Sequence, residues 1–140
     1  GSRVTKDFGR LNRYEVAQTG EKIAIIGLGT FFELAKEAAK LLKEEAGINA
    51  TVINPYYITG LDEALLTKLK QNHDTVITLE DGILDGGFGE KIARFYGASN
   101  MKVMNYGLKK EFLDRYDVDA VLKENHLTAE QIAEDVLSIL

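Results

Sequence analysis

Two rhythms alternate along the chain. Short apolar runs such as Ile23-Ala24-Ile25-Ile26 and Thr75-Val76-Ile77-Thr78-Leu79 give way to stretches in which apolar residues return every three or four positions. A run without polar alternation suits a strand buried on both faces, and the three-to-four step is the inward stripe of a helix. Their alternation predicts a parallel sheet with helices on both faces. Strands are expected at Lys22 to Gly27, Asn49 to Ile58, Asp74 to Leu79 and Met101 to Tyr106, preceded by a short one at Tyr14 to Ala17. That first strand runs into Gln18-Thr19-Gly20-Glu21, too short for a parallel crossover, so it is expected to be an antiparallel edge hairpin arm pairing with the strand after it.

Helix signals fill the intervals. Thr30 to Ala46 carries Phe31, Leu34, Ala35, Ala38, Leu41 and Leu42 on one face, with Glu33, Lys36, Glu37, Lys40 and Lys43 on the other. Thr30 and Glu33 have the spacing of a capping box, and Gly47 stands where a left-handed stop belongs. Asp62 to Asn72, with Leu65, Leu66 and Leu69 inward, Glu90 to Tyr96, Lys109 to Tyr116 and Asp119 to Asn125 are further helices. The last begins at Thr128, with Gln131 as its capping-box partner and Leu127 and Ile132 as a hydrophobic staple, and should run to near Leu140. The fold class is therefore α/β: a three-layer α/β/α sandwich around a mixed five-stranded sheet with one antiparallel edge strand.

Composition narrows the function. The 140 residues include 17 Lys and Arg, 22 Asp and Glu, 13 Gly and no Cys, for a net charge of −5. One domain of this size buries about 68–70% of its unfolded surface and needs no disulfide or metal staple. The acidic balance argues against a nucleic-acid partner or an anionic membrane surface. No run approaches the roughly 20 apolar residues of a membrane helix, and no signal segment leads the chain, so a cytoplasmic protein is expected. Gly1-Ser2 reads as the remnant of a cleaved purification tag, and the basic stretch from Arg3 to Arg13 as a linker from a preceding domain or a solvated start. The domain proper is then 14–140.

Candidate chemistry lies at the strand ends. Gly27-Leu28-Gly29-Thr30 turns from strand to helix as a dinucleotide site does, but Phe32 replaces the third glycine and Asn54 replaces the acidic ribose ligand. What remains is a corner at Gly29 and Thr30 whose free N–H groups would attract a small anion. Further on, Glu80-Asp81 is followed by Gly82-Ile83-Leu84-Asp85-Gly86-Gly87-Phe88-Gly89, at the end of a strand where ligands dock in open α/β sheets. Two readings of Phe88 stand: covered by an interface or a substrate lid, or packed under its own helix while Gly86, Gly87 and Gly89 permit close contact. Glu80, Asp81, Asp85 and Glu90 are oxygen donors suited to a hard cation, yet their spacing is not that of a calcium loop, and a solvated acidic rim is the preferred reading. His73 and His126 sit near helix boundaries, where a ring closes a helix end or meets solvent. There is no nucleophile elbow, P-loop or zinc-helix motif.

In order and spacing, several stretches together resemble one family. They are Glu21 to Thr30; Gly47-Ile48-Asn49-Ala50-Thr51-Val52-Ile53-Asn54; Thr78-Leu79-Glu80-Asp81 with Gly86-Gly87-Phe88-Gly89; and Gly107-Leu108 with Phe112-Leu113 and Leu127 to Ile132. From about Phe8 to Leu140 the chain resembles the C-terminal domain of the transketolase family of thiamine-diphosphate enzymes, nearest its 1-deoxy-D-xylulose-5-phosphate synthase branch. It departs from that branch at Pro55-Tyr56-Tyr57 and Thr59-Gly60-Leu61-Asp62, where Ala-Arg-Phe and Lys-Pro-Leu-Asp are usual. It departs again at Lys109-Lys110 and Arg115-Tyr116, in place of Pro-Asp and His-Gly.

The resemblance implies a part of a transferase that moves a two-carbon acyl-anion equivalent onto an aldehyde phosphate, with thiamine diphosphate and magnesium in the parent enzyme. The Gly-Asp-Gly motif with its downstream Asn, and the glutamate that activates the cofactor, belong to the two preceding domains in that family. This domain is expected to hold no catalytic residue, cofactor or metal. Its partners would be the pyrimidine-binding and diphosphate-binding domains, in the same chain or a separate subunit, within a homodimer. The candidate interface or anion-contact residues are Gly29, Thr30, Asn54, Glu80, Asp81, Gly86, Gly87, Phe88 and Gly89. The alternatives are transketolase proper or its separate C-terminal subunit and, in another class, a stand-alone doubly wound anion-binding module.

Overall fold

The structure, a computed structural model, describes residues 12–83, 86–108 and 117–140. Its strands are β1 (Glu15–Gln18), β2 (Lys22–Gly27), β3 (Thr51–Asn54), β4 (His73–Ile83) and β5 (Lys102–Leu108). Its helices are α1 (Phe32–Ala46), α2 (Glu63–Leu69), α3 (Phe88–Tyr96), α4 (Val118–Glu124) and α5 (Ala129–Ser138). The helix expected at Lys109 to Tyr116 lies outside the described residues, as does Asp85.

The five strands lie in the order β1-β3-β2-β4-β5. β2 pairs in parallel with β3 and β4, and β4 in parallel with β5, while β1 runs antiparallel to β3 with Glu15 opposite Asn54. Mixed sheet and antiparallel edge strand are as expected from the sequence, but the hairpin is not: β1 joins β3, not the strand that follows it. The reason is that β2 has no free side, since β3 and β4 occupy both its ladders. The connecting turn crosses the start of β3, where Gly20 N–H donates to Thr51 Oγ1 (2.9 Å) and Glu21 N–H to Asn49 O (2.8 Å). A Cβ at Gly20 would stand 2.0 Å from Asn49 O, so the crossing requires glycine.

Alternation along the central strands splits the core. Ile23 and Ile25 join Val52, Ile77 and Leu79 under α1 and α5, whereas Ala24 and Ile26 join Ile53 and Val76 against α2 and α3. Both faces are thus covered, which is why the strands read as unbroken apolar runs. α1 ends as anticipated: Gly47, at φ 67°, donates to Leu42 O and Lys43 O. Its beginning differs. Gly29–Phe31 forms a 3₁₀ turn, Phe31 occupies the cap position without a side-chain bond, and the Thr30 capping box does not form. α5 is as expected, Thr128 accepting from Gln131 N–H over the buried pair Leu127 and Ile132 and the helix running to Ser138. Among the described residues no helix is long and apolar enough to cross a membrane.

Candidate functional site

The carboxyl ends of β2, β3 and β4 gather most of the residues singled out from the sequence. Glu80 lies near the end of β4 and is only 3% exposed. Its Oε1 accepts from Phe88 N–H at 3.1 Å and its Oε2 from Gly89 N–H at 2.6 Å, the first N–H groups of α3. Those donors have no partner within the helix and sit at the positive end of its dipole, so a carboxylate there is stabilised. Burial nevertheless raises the Glu80 pKa above its ordinary 4.5, against the lowering by the two N–H bonds and with help from Asp81 and Glu90. The solvated acidic rim is corrected at this residue: Glu80 is an internal brace, and among the described carboxylates of the four Asp81 is exposed and Glu90 half-buried. Glu90 Oε2 accepts from Gly86 N–H (2.8 Å), closing the loop on α3. Among the described residues no group of His, Asp and Glu is placed to hold a metal ion.

Of the two readings of Phe88, the packed one fits the geometry. Its ring is 2% exposed and meets Tyr14 edge-on, with centroids 6.2 Å apart. Gly89 allows α3 to approach the sheet, because a Cβ there would lie 2.6 Å from Thr78 Oγ1 and 2.7 Å from Asn105 Oδ1. Thr78 Oγ1 itself donates to Asn105 Oδ1 (2.7 Å), so the cradle under Gly89 is internally satisfied.

The Gly29–Thr30 corner is also turned inward. Leu28 N–H donates to Leu79 O (2.9 Å), Gly29 N–H to Tyr56 O (2.6 Å) and Phe31 N–H to Leu28 O (3.2 Å). The Gly29 N–H expected to be free for an anion is therefore spent inside the protein, and Thr30 alone of the pair is exposed. Asn54 Oδ1 accepts from Tyr56 N–H at 2.7 Å, which makes it a turn former at the end of β3.

What sequence reasoning passed over is the turn itself. Tyr56 adopts φ +58°, its hydroxyl donates to Glu15 Oε2 (2.9 Å), and Ile58 N–H closes on Pro55 O (3.0 Å). Tyr57 is 75% exposed, yet its ring lies over Gly29, where a Cβ would come within 2.8 Å of Tyr57 Cε1. Two aromatic residues after a proline, at the end of a strand and followed by Thr59-Gly60, were the available signal. Beside the turn is an open cleft of about 320 Å³ lined by Leu28, Thr59, Glu80, Gly87, Phe88 and Lys91.

The histidines lie elsewhere. His73, at the amino end of β4, places Nδ1 3.1 Å from Leu69 O and Nε2 2.7 Å from Thr51 Oγ1. A carbonyl only accepts, so Nδ1 carries the proton of the neutral ring and Nε2 accepts from the Thr51 hydroxyl. Burial lowers the His73 pKa below its ordinary 6.5, against the Leu69 carbonyl and the charges of Asp74 and Glu21. His126 Nδ1 meets Asp135 Oδ2 at 2.9 Å, an oxygen that also accepts from the Tyr106 hydroxyl at 2.8 Å. Both rings brace element ends, and the hydroxyl against His73, that of Thr51, is buried and also takes the Gly20 N–H.

Comparison with known proteins identifies the fold. The profile of "Transketolase, C-terminal domain" matches residues 12–132. The 1-deoxy-D-xylulose-5-phosphate synthase of Symbiobacterium thermophilum is 37% identical over 93% of this chain and 20% of its own length. That of Rippkaea orientalis is 34% identical over 92% and 20%. Among solved structures, a split gene transketolase described as an inactive beta4 tetramer superposes with a TM-score of 0.80, at 28% identity, over 91% of this chain and 42% of that one. The chain thus spans about a fifth of the length of these curated relatives. With the profile covering most of its length, and the mixed sheet and helical layers in place, the chain belongs to the transketolase C-terminal domain family.

Proposed function

We propose that this chain is the C-terminal domain of a thiamine-diphosphate-dependent transferase, a 1-deoxy-D-xylulose-5-phosphate synthase or a paralogue, that condenses pyruvate with glyceraldehyde 3-phosphate. Within it the domain packs on the pyrimidine-binding domain, extends the interface of a cytoplasmic homodimer and helps shape the substrate entrance. The carrying observation is one of proportion: the match covers 93% of this chain but 20% of a synthase, so the activity belongs to a larger assembly. The residues present do not fit the cofactor. The sequence has no Gly-Asp-Gly with a downstream Asn, and the buried carboxylate Glu80 is engaged by two backbone N–H groups. This domain is therefore assigned packing and positioning, and the chemistry is left to the cofactor and the other domains.

The test is activity with and without the domain. Given thiamine diphosphate, Mg²⁺, pyruvate and glyceraldehyde 3-phosphate, the chain alone should form no product, whereas the parent enzyme should, and should lose turnover or dimer stability when the domain is removed. Turnover by the isolated chain, or an unimpaired parent without it, would overturn the proposal.

A second reading has its own support. The TM-score of 0.80 to a split gene transketolase favours a separate C-terminal subunit of transketolase proper. Release of CO2 during turnover separates the two, since a pyruvate donor loses it and a ketose donor does not.

A further inference from the structure

Several groups of the carboxyl edge are committed internally, and the Tyr57 turn is not. Glu80, Phe88 and the Gly29 N–H are committed internally, yet the same edge holds out Tyr57 with three-quarters of its surface in water. The turn that presents it is unusually well fixed. Tyr56 stands at φ +58°, a conformation unfavourable for a residue with a side chain. It is held there through its N–H to Asn54, its carbonyl to Gly29 and its hydroxyl to Glu15. A strained residue maintained by such bonds is a mark of a preorganised contact site. A rigid tyrosine offers a large amphipathic surface with little side-chain entropy left to lose, as the anchors of protein interfaces do.

The position of the turn indicates its occupant. β1 is antiparallel to β3, so the polypeptide enters the domain at this carboxyl edge, with Glu15 opposite Asn54. The residues leading into β1 are tied to the far end of the same loop: Tyr14 N–H donates to Asp62 Oδ2 (2.9 Å), the Tyr14 hydroxyl donates to Gly60 O, and the Asn12 side chain lies against Gly60. At Asn12 the described chain thus stands beside Gly60, three residues along the same loop from Tyr57.

We propose that the Pro55–Ile58 turn is the point at which the preceding, pyrimidine-binding domain docks, with Tyr57 as its aromatic anchor beside the Leu28 and Lys91 cleft. This rests on the function proposed above and adds the surface and the residue. A ring already stacked over Gly29 offers its outer face without rearrangement. Tyr57→Ala should then leave the urea midpoint of the isolated chain unchanged while loosening the parent assembly.

The decisive experiment places the photoreactive residue p-benzoylphenylalanine at Tyr57 in the parent enzyme, and at Val118, which is 67% exposed on α4, as a control. On irradiation, the probe at Tyr57 should link to peptides of the preceding domain and the probe at Val118 should not. Linkage from Tyr57 to a second copy of this domain, or no linkage at all, would overturn the docking assignment. Failure of the underlying function shows differently: the intact mass and sequence of the parent, read before irradiation, would lack cofactor-binding domains.

Discussion

The two ends of the sheet are each braced by a titratable side chain, half-buried His73 at one and buried Glu80 at the other, and they use it in opposite ways. At the amino end, His73 links the close of α2 at Leu69 to the start of β3 at Thr51, which in turn holds Gly20 of the β1–β2 turn. At the carboxyl end, Glu80 links β4 to the first turn of α3. The amino brace is a neutral ring that donates and accepts, so it ties α2, β3 and the β1–β2 turn together. The carboxyl brace is an acceptor that takes up N–H groups a helix cannot satisfy, and it leaves the neighbouring Tyr56–Tyr57 turn facing outward. One end ties three elements together; the other carries the turn on which the docking proposal rests.

The largest expected effect comes from removing the carboxyl brace. Glu80→Ala leaves two N–H groups buried without an acceptor and should cost about 2–3 kcal/mol in urea unfolding. A loss within the range of ordinary surface substitutions would show that α3 is not held by this carboxylate. Next, Gly89→Ala drives a methyl into Thr78 and Asn105 at the same site and should destabilise by about 1–3 kcal/mol. The corresponding Gly47→Ala change would meet no atom within 4 Å and acts through the left-handed φ alone.

The two braces should also respond to pH with opposite signs. His73 in the folded protein lies below its ordinary 6.5, so the unfolded chain binds the proton more readily. Its contribution to stability is complete above 6.5 and is lost as the pH falls through the folded value. Glu80 lies above its ordinary 4.5, so its contribution is complete below 4.5 and is lost as the pH rises through the folded value. Urea midpoints of His73→Gln and Glu80→Gln, subtracted from the parent protein across this range, should therefore slope in opposite directions. Slopes of the same sign would dissolve the contrast.

The smallest effects compare two threonines. Thr128→Ala removes a formed cap and should cost about 1 kcal/mol. Thr30→Ala should stay within about 0.5 kcal/mol by the same thermal or urea measurement, because Thr30 caps nothing.

That pair of threonines also shows where the sequence was legible. Thr128-Ala129-Glu130-Gln131 and Gly47 act through neighbours a few residues away, and both were read correctly. The Thr30 signal was equally good locally, but Leu28 and Gly29 are drawn to Leu79 and Tyr56, which displaces the helix start. The strands were legible because burial on both faces writes itself as unbroken apolar runs, whereas the partner of β1 depends on which ladder is still open after β2, β3 and β4 have assembled. Glu80 read as a solvated carboxylate because nothing beside it in sequence reveals that α3 begins against it. Phe88 was undecided for the same reason, its cover coming in part from Tyr14. Tyr57 was noticed only as a departure from the usual Ala-Arg-Phe, and its exposure becomes visible once the strained turn is built.

Hydrogen exchange tests most directly the claim that one end of the sheet is finished and the other made for assembly. Amide exchange would be followed peptide by peptide in the isolated chain and in the parent enzyme. The carboxyl-edge segments 55–60 and 86–91 should slow on assembly, while 18–22 and 70–75 around His73 exchange alike in both. Protection confined to the His73 end, with the Tyr57 turn unchanged, would contradict it.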